Sequence, residues 1–234
     1  MIKVLYEDNH IIAVVKPAGV LTQGDRTGDE NLMDMVKGYL KEKYKKPGNV
    51  FLGLVHRLDK PVEGIVLFGK TSKGASRLSE QFRNHTIQKT YHAIVVGKPK
   101  EEKGNIKEQV NKISFFAEGF TNKTDAEILD AVKKATKTRT AELSYEVVKK
   151  NEKYSLLKIL PKTGRFHQIR IQMQQMGCPI LGDTKYGAPR VLQGPTLQSD
   201  SIALAATAIT FKTATDDKVI NLEILLPEFW KKYL

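Results

Sequence analysis

A chain of 234 residues, 41% hydrophobic and 27% charged, is long enough for a sizeable core and has the composition of an ordinary globular protein. Its single cysteine, Cys178, rules out an intrachain disulfide, and no apolar run approaches the ~20 residues of a membrane span, so a cytoplasmic protein with no membrane partner is expected. A net charge of +12, from 38 Lys+Arg against 26 Asp+Glu, points to a polyanionic partner, though charge alone does not separate RNA from DNA.

In chain order, Val4 to Lys16 reads as two strand-like runs broken at Asp8-Asn9, and Glu7, Asp8 and His10 between them argue against a signal peptide. Pro17 and Gly19 end the second run. Asn31 to Tyr44 has helical spacing, with Leu32, Met35, Val36, Tyr39 and Leu40 on one face. Phe51 to Val55 is a short strand. Pro61 then marks Asp59 to Glu63 as a turn before the buried strand Ile65 to Phe68. Lys73 to His85 is a second helix, and Lys89 to Val96 is a strand with Tyr91, Ala93 and Val95 on one side.

Lys98 to Asn105 reads as a charged connector. Asn111 to Lys137 reads as a solvated loop with a strand candidate at Ile113 to Ala117 and a helical turn around Ala126 to Val132. Ala141 to Leu160 alternates as a hairpin turning at Asn151-Glu152. A third helix is predicted from about Arg165 to Met176, stopped by Gly177 and Pro179. After a loop from Leu181 to Gly194, Ser201 to Phe211 and Val219 to Leu225 are late strands. With no repeat or clean linker, the pattern predicts one α+β domain: a mixed, mostly antiparallel sheet with flanking helices.

Three stretches carry candidate chemistry. His56, Arg57 and Asp59 put an imidazole, a guanidinium and a carboxylate on a loop beside a buried strand, where catalytic groups are often held; the plainer reading is an Arg–Asp pair closing a turn. Arg165, His167, Gln168 and Arg170 cluster at the predicted start of the third helix, the less favourable end for positive charge unless an anion such as phosphate or Asp59 lies there. Tyr91, read from its strand alone, is a core tyrosine with a paired hydroxyl. His56 and His92 lack companions with metal-ligand spacing, so no metal site is expected, and Cys178 reads as a small buried hydrophobe.

Four motifs in order make the chain resemble the RluA-type family of RNA pseudouridine synthases: YEDNHIIAVVKPAG, VHRLDKPVEGIVLFGKT, KTYHAIVVG and TGRFHQIRIQMQQMGCPILGDTKYG. The resemblance covers nearly the whole chain. Three departures stand out. Val62-Glu63 replaces a Thr-Ser-like pair before Gly64, Phe166 stands where Thr or Ser is common, and Ala205 stands where histidine is common. The small N-terminal RNA-binding module of many members is not expected here.

The resemblance implies the catalytic fold of that family and isomerisation of uridine in ribosomal or transfer RNA, without a metal or redox cofactor, by a monomer. It implies Asp59 as the catalytic aspartate and Tyr91 as the active-site tyrosine, with Arg165 as the guanidinium favouring the Asp59 carboxylate. Arg57 would fill the space left by the flipped base. His56, Lys16, His167, Gln168 and Arg170 are the further candidates for contacting substrate or positioning the site. The rival readings are an inactive RNA-binding or ribosome-assembly factor that kept the fold, and a hydrolase pairing Asp59 with Glu63.

Overall fold

Two short apolar runs set the middle of the sheet. IIAVVK forms β2 (Ile11–Lys16) and EGIVLFG forms β4 (Glu63–Gly69), antiparallel from Ile11↔Gly69 to Lys16↔Gly64. Ile12, Val14, Val66 and Phe68 join the core on one face, and Ile11, Ala13, Ile65 and Leu67 join it on the other. Strands covered on both faces need continuous apolar runs rather than alternation, and these two have them. The computed structural model describes residues 2–25, 28–110, 139–189 and 201–234.

One helix covers each face of this centre. α1 (Leu32–Lys43) brings Leu32, Val36 and Leu40 to the first face, and α2 (Ser72–Arg83) brings Leu78 to the second. Both begin at a side-chain cap. Asn31 accepts from the Asp34 N–H at 3.2 Å, and Thr71 Oγ1 accepts from the Gly74 N–H at 3.1 Å. Each such cap is worth about 1 kcal/mol.

The remaining elements are β1 (Lys3–Glu7), β3 (Gly53–Leu54), β5 (Gln88–Val96), β6 (Lys103–Val110), β7 (Arg139–Lys150), β8 (Tyr154–Pro161), α3 (Gln168–Gln175), β9 (Leu204–Lys212) and β10 (Val219–Glu223). The sheet runs β1-β2-β4-β9-β5-β8-β7-β6, with β3 also on β4 and β10 also on β9. Its pairs are antiparallel except β4 with β9, joined in parallel at Glu63↔Ala205 and Gly64↔Ala206. Gly64 has φ +134°, and a Cβ there would stand 2.4 Å from the Ala206 carbonyl oxygen, so only glycine fits this crossing. The result is the expected mixed, mostly antiparallel sheet with few helices. Among the described residues, no helix is long and apolar enough to cross a membrane.

Three local expectations are corrected. α3 begins at Gln168 rather than Arg165, because His167 takes a left-handed conformation (φ 49°, ψ 24°) that starts the helix late. The stretch read as a connector from Lys98 to Asn105 already contains the start of β6, a sheet-edge strand whose Ile106 packs on the core. Glu63 opens β4 instead of ending the turn before it. The strand candidate at 113–117 and the helical turn around 126–132 lie outside the described residues.

Candidate active site

Asp59 sits on the loop between β3 and β4, and that loop is fastened from several directions. Buried Thr22 donates its hydroxyl to the Leu58 carbonyl at 2.8 Å and accepts from the Leu58 N–H at 3.1 Å. The Gly19 N–H reaches the Lys60 carbonyl at 2.8 Å, and the Ile202 N–H reaches that of Pro61 at 3.3 Å. Val62 N–H closes the turn on the Asp59 carbonyl at 3.0 Å. The backbone of the carboxylate is therefore set by groups from the turn after β2 and from the approach to β9.

Lys16 is part of this fastening. Its side chain is fully buried, and Nζ donates to the carbonyls of Pro17, Val20 and Lys60 at 2.9, 2.7 and 3.1 Å. Three donors meet three acceptors, so none is left for a phosphate. Burial pushes its pKa down to about 7, against the pull of Asp59 and Glu63. Contact with phosphate, expected as one of its possible roles, is replaced by positioning of the loop.

The guanidinium beside Asp59 comes from Arg170. Its Nη1 lies 3.3 Å from Asp59 Oδ2, while Nε and Nη2 form a bidentate pair with Asp183 at 2.7 and 2.8 Å. Arg170 and Asp183 are 5% and 1% exposed, so this is a buried pair whose fork geometry aims the remaining nitrogen at Asp59. The Arg170 guanidinium also lies 5.0 Å over the Tyr186 ring. Arg165, expected as the partner of Asp59, instead donates Nε to the Thr140 carbonyl at 3.1 Å and lines the cleft from outside the helix. The late start of α3 explains the exchange: Arg170 is on its first turn and faces inward.

His167 completes the group. Its Nε2 is 3.4 Å from Asp59 Oδ2 and its Nδ1 is 3.0 Å from the Tyr186 hydroxyl, with Phe166 stacked on its ring at 4.1 Å. Burial and the neighbouring charges of Arg170, Lys185 and Arg57 push its pKa down to about 3, so the imidazole is neutral and its contact with Asp59 is not an ion pair. The left-handed backbone at His167 is a locally unfavourable conformation held by these partners.

Burial raises the pKa of Asp59, opposed by Arg170 and Arg57. Burial, and then the negative charge of Asp59, also raise that of the Tyr91 phenol. Among the described residues, no hydrogen bond reaches the Tyr91 hydroxyl, which departs from the core-tyrosine reading. His56 is structural in its contacts. Its Nε2 accepts from the Leu67 N–H at 2.9 Å, and burial with the Lys89 charge pushes its pKa down to about 3. Gln168 is also occupied, taking the Thr163 hydroxyl and the Arg165 N–H on Oε1 and giving Nε2 to the Glu142 carbonyl. His92 bonds Thr207 Oγ1 through Nδ1, and among the described residues no cluster of potential metal ligands includes it.

Two cavities meet at this centre. One, of about 500 Å³, lies toward Thr22, Phe166, Lys185 and Ile202; the other, of about 540 Å³, lies toward Phe82, Lys89, Tyr91, Arg165 and Leu204. Arg57, Asp59, His167 and Arg170 line both, and Arg57 is exposed on the ridge between them. Asp59 is the one carboxylate among the described residues that faces both spaces. Asp183 and Tyr186 are the functional-site residues that the sequence reading passed over. Their signal was the acid and aromatic of GDTKYG, quoted in the third motif without a role.

The family model described as RNA pseudouridylate synthase matches residues 10–175. A Vibrio cholerae protein named tRNA pseudouridine synthase C is 36% identical over 240 residues, covering 100% of this chain and 95% of its own length. A Rickettsia bellii protein named ribosomal large subunit pseudouridine synthase C is 30% identical over 229 residues, covering 97% and 69%. Among solved structures, human RNA pseudouridylate synthase domain containing 4 superposes with a TM-score of 0.76 at 24% identity, covering 98% of this chain and 90% of that one.

Proposed function

The chain belongs to the RluA-type family of RNA pseudouridine synthases, and on that premise we propose that it isomerises uridine in ribosomal or transfer RNA through Asp59, partnered by Arg170. The observation that carries the role of Asp59 is its position: a loop-fastened, largely buried carboxylate at the junction of two cavities, 3.3 Å from an orienting guanidinium. In the reaction the bond from uracil nitrogen to the sugar breaks, the base turns, a carbon of the same base bonds to the same sugar carbon, and that base carbon loses its proton while the freed nitrogen takes one up. Attack by Asp59 on the anomeric carbon and removal of the neighbouring sugar proton are the two routes, and both use the ionised carboxylate. Burial raises the Asp59 pKa, so the acid limb of activity should lie above the ordinary aspartate value of 3.8.

Tyr91 fits a stacking partner for the target base in the cavity of about 540 Å³, with Val62, Ile169 and Leu204 as apolar lining. Reaching that space requires the base to leave its stack, at a cost of a few kcal/mol. Arg57, exposed on the ridge, fits the place of the displaced base. The hydrolase reading loses its second carboxylate, since Glu63 opens β4 opposite Ala205 and lines neither cavity.

The test is Asp59→Ala. Pseudouridine formation on unmodified tRNA and large-subunit ribosomal RNA transcripts should be lost, while binding of the same RNAs is retained. Undiminished pseudouridine formation by the variant would refute the assignment. An inactive RNA-binding factor would instead show no pseudouridine formation by the wild-type chain.

A further inference from the structure

The cavity holding Tyr91 has an imbalance of charge that Asp59 does not explain. Among the described residues, its lining includes Arg57, Arg83, Lys89, Arg165 and Arg170 against Asp59 as the single carboxylate. That carboxylate is already engaged by Arg170, and Arg165 is held by a backbone carbonyl. Lys89 differs from these two. It lies at the start of β5, two residues before Tyr91, and lines the same cavity as that ring. Its Nζ sits against the loop before α3, where a Cβ added at Gly164 would stand 3.7 Å away.

Lys89 is half-buried, and among the described residues it makes no hydrogen bond and no ion pair. Burial accordingly lowers its pKa, with no acidic group pulling the other way. An ammonium partly withdrawn from water without a counter-ion is costly, and lysine can usually avoid that cost by extending its four-carbon stem fully into solvent. Here the stem leads into the cleft instead. The neighbouring His56 is kept neutral partly by this same charge and so offers it no compensation.

We propose that Lys89 is a phosphate anchor: its ammonium receives a phosphodiester next to the uridine held at Asp59 and Tyr91, so that substrate supplies a counter-ion that none of the described residues provides. This rests on the RNA-modifying function proposed above and adds a residue with a defined ligand group. Residues i and i+2 of a strand lie roughly 7 Å apart. That spacing is comparable with the span from a nucleobase to its own phosphate, so one nucleotide can meet Tyr91 with its base and Lys89 with its backbone. Arg83 also lines this cavity and adds a further cation to it.

The experiment compares wild type, Lys89→Met and Lys89→Arg for binding to unmodified tRNA and large-subunit ribosomal RNA transcripts across a salt series. Loss of one phosphate contact should make the slope of log K against log salt shallower by about 0.7 to 0.9 in Lys89→Met, and Lys89→Arg should keep the wild-type slope. In turnover, Lys89→Met should raise KM more than it lowers kcat. Its melting temperature without RNA should equal or exceed that of wild type, because an uncompensated charge has been removed. An unchanged slope with a fall in kcat would overturn the proposal and place Lys89 on the base. A lowered melting temperature would also overturn it, by showing that the ammonium is satisfied within the protein. The slopes need no catalysis, so a wild-type chain that forms no pseudouridine would sink the proposed function and leave the phosphate contact standing or falling by its own measurement.

Discussion

The turn after β2 withdraws a lysine fully from water and the mouth of the cleft at the start of β5 withdraws one partly, and they treat it in opposite ways. At the turn, Lys16 is enclosed by three carbonyls that use its three donors. At the cleft, Lys89 meets no acceptor among the described residues. Burial depresses both ammonium groups, Lys16 to about 7. A buried cation supplied with acceptors by its own chain is part of the scaffold. One left without them faces a ligand. Arg170 stands between these extremes, with its main partner in Asp183 and one nitrogen extended to Asp59.

The most severe way to break this contrast is to put Arg170 in the condition of Lys89. Asp183→Asn removes its counter-ion while leaving the guanidinium buried, and breaking such a pair from one side costs about 3–5 kcal/mol. Denaturant unfolding should show a loss of that order. Pseudouridine formation should fall as well, since Asp59 loses its aimed partner. Next, Lys16→Met should strand three carbonyls, at about 1–3 kcal/mol for a buried unsatisfied group. The same unfolding measurement should register that loss, and kcat should fall as the Asp59 loop loosens. The matching change at the cleft, Lys89→Met, should give no loss of stability, so the sign of the effect separates the two lysines.

The smallest effect concerns a buried group with no charge to satisfy. His56 is neutral in the fold, with its pKa pushed from 6.5 to about 3. Below pH 6.5 the unfolded chain takes a proton that the folded one refuses, so its contribution is complete above 6.5 and is lost as pH falls toward 3. His56→Gln should cost about 1 kcal/mol at neutral pH, from a weakened bond to the Leu67 N–H. Its deficit should then shrink in unfolding curves taken from pH 6.5 down to pH 4. A deficit independent of pH would show that the imidazole titrates in the folded protein as it does in the unfolded chain.

The sheet was largely legible because burial leaves a periodic trace. β2 and β4 announce themselves as continuous apolar runs, and β7 and β8 as alternation. The start of β6 was hidden because an edge strand buries little, and Lys103, Asn105 and Lys107 look like loop residues. At the candidate site, motif likeness singled out Asp59 and Tyr91, which line the same cavity. The choice between Arg165 and Arg170 was not, because it turns on a single left-handed residue, His167, that shifts the start of a helix by one turn's worth of side-chain direction. The role of Lys16 was equally hidden. Nothing in VVKPAG shows that the lysine folds back on three carbonyls instead of reaching toward RNA.

The parallel junction of β4 with β9 bears on how the protein comes into being. β9 lies between β4 and β5 and is the strand that joins β1-β2-β4 to β5-β8-β7-β6. Its neighbour Ile202 also ties down Pro61, next to Asp59. A ribosome making this chain releases Asp59, Tyr91 and Arg170 long before it releases the strand that locks the two halves together. Such distant pairing is slow to form because a long loop must close first. The nascent enzyme should therefore acquire its chemistry late and all at once, when β9 inserts as a wedge between two parts of the sheet already made.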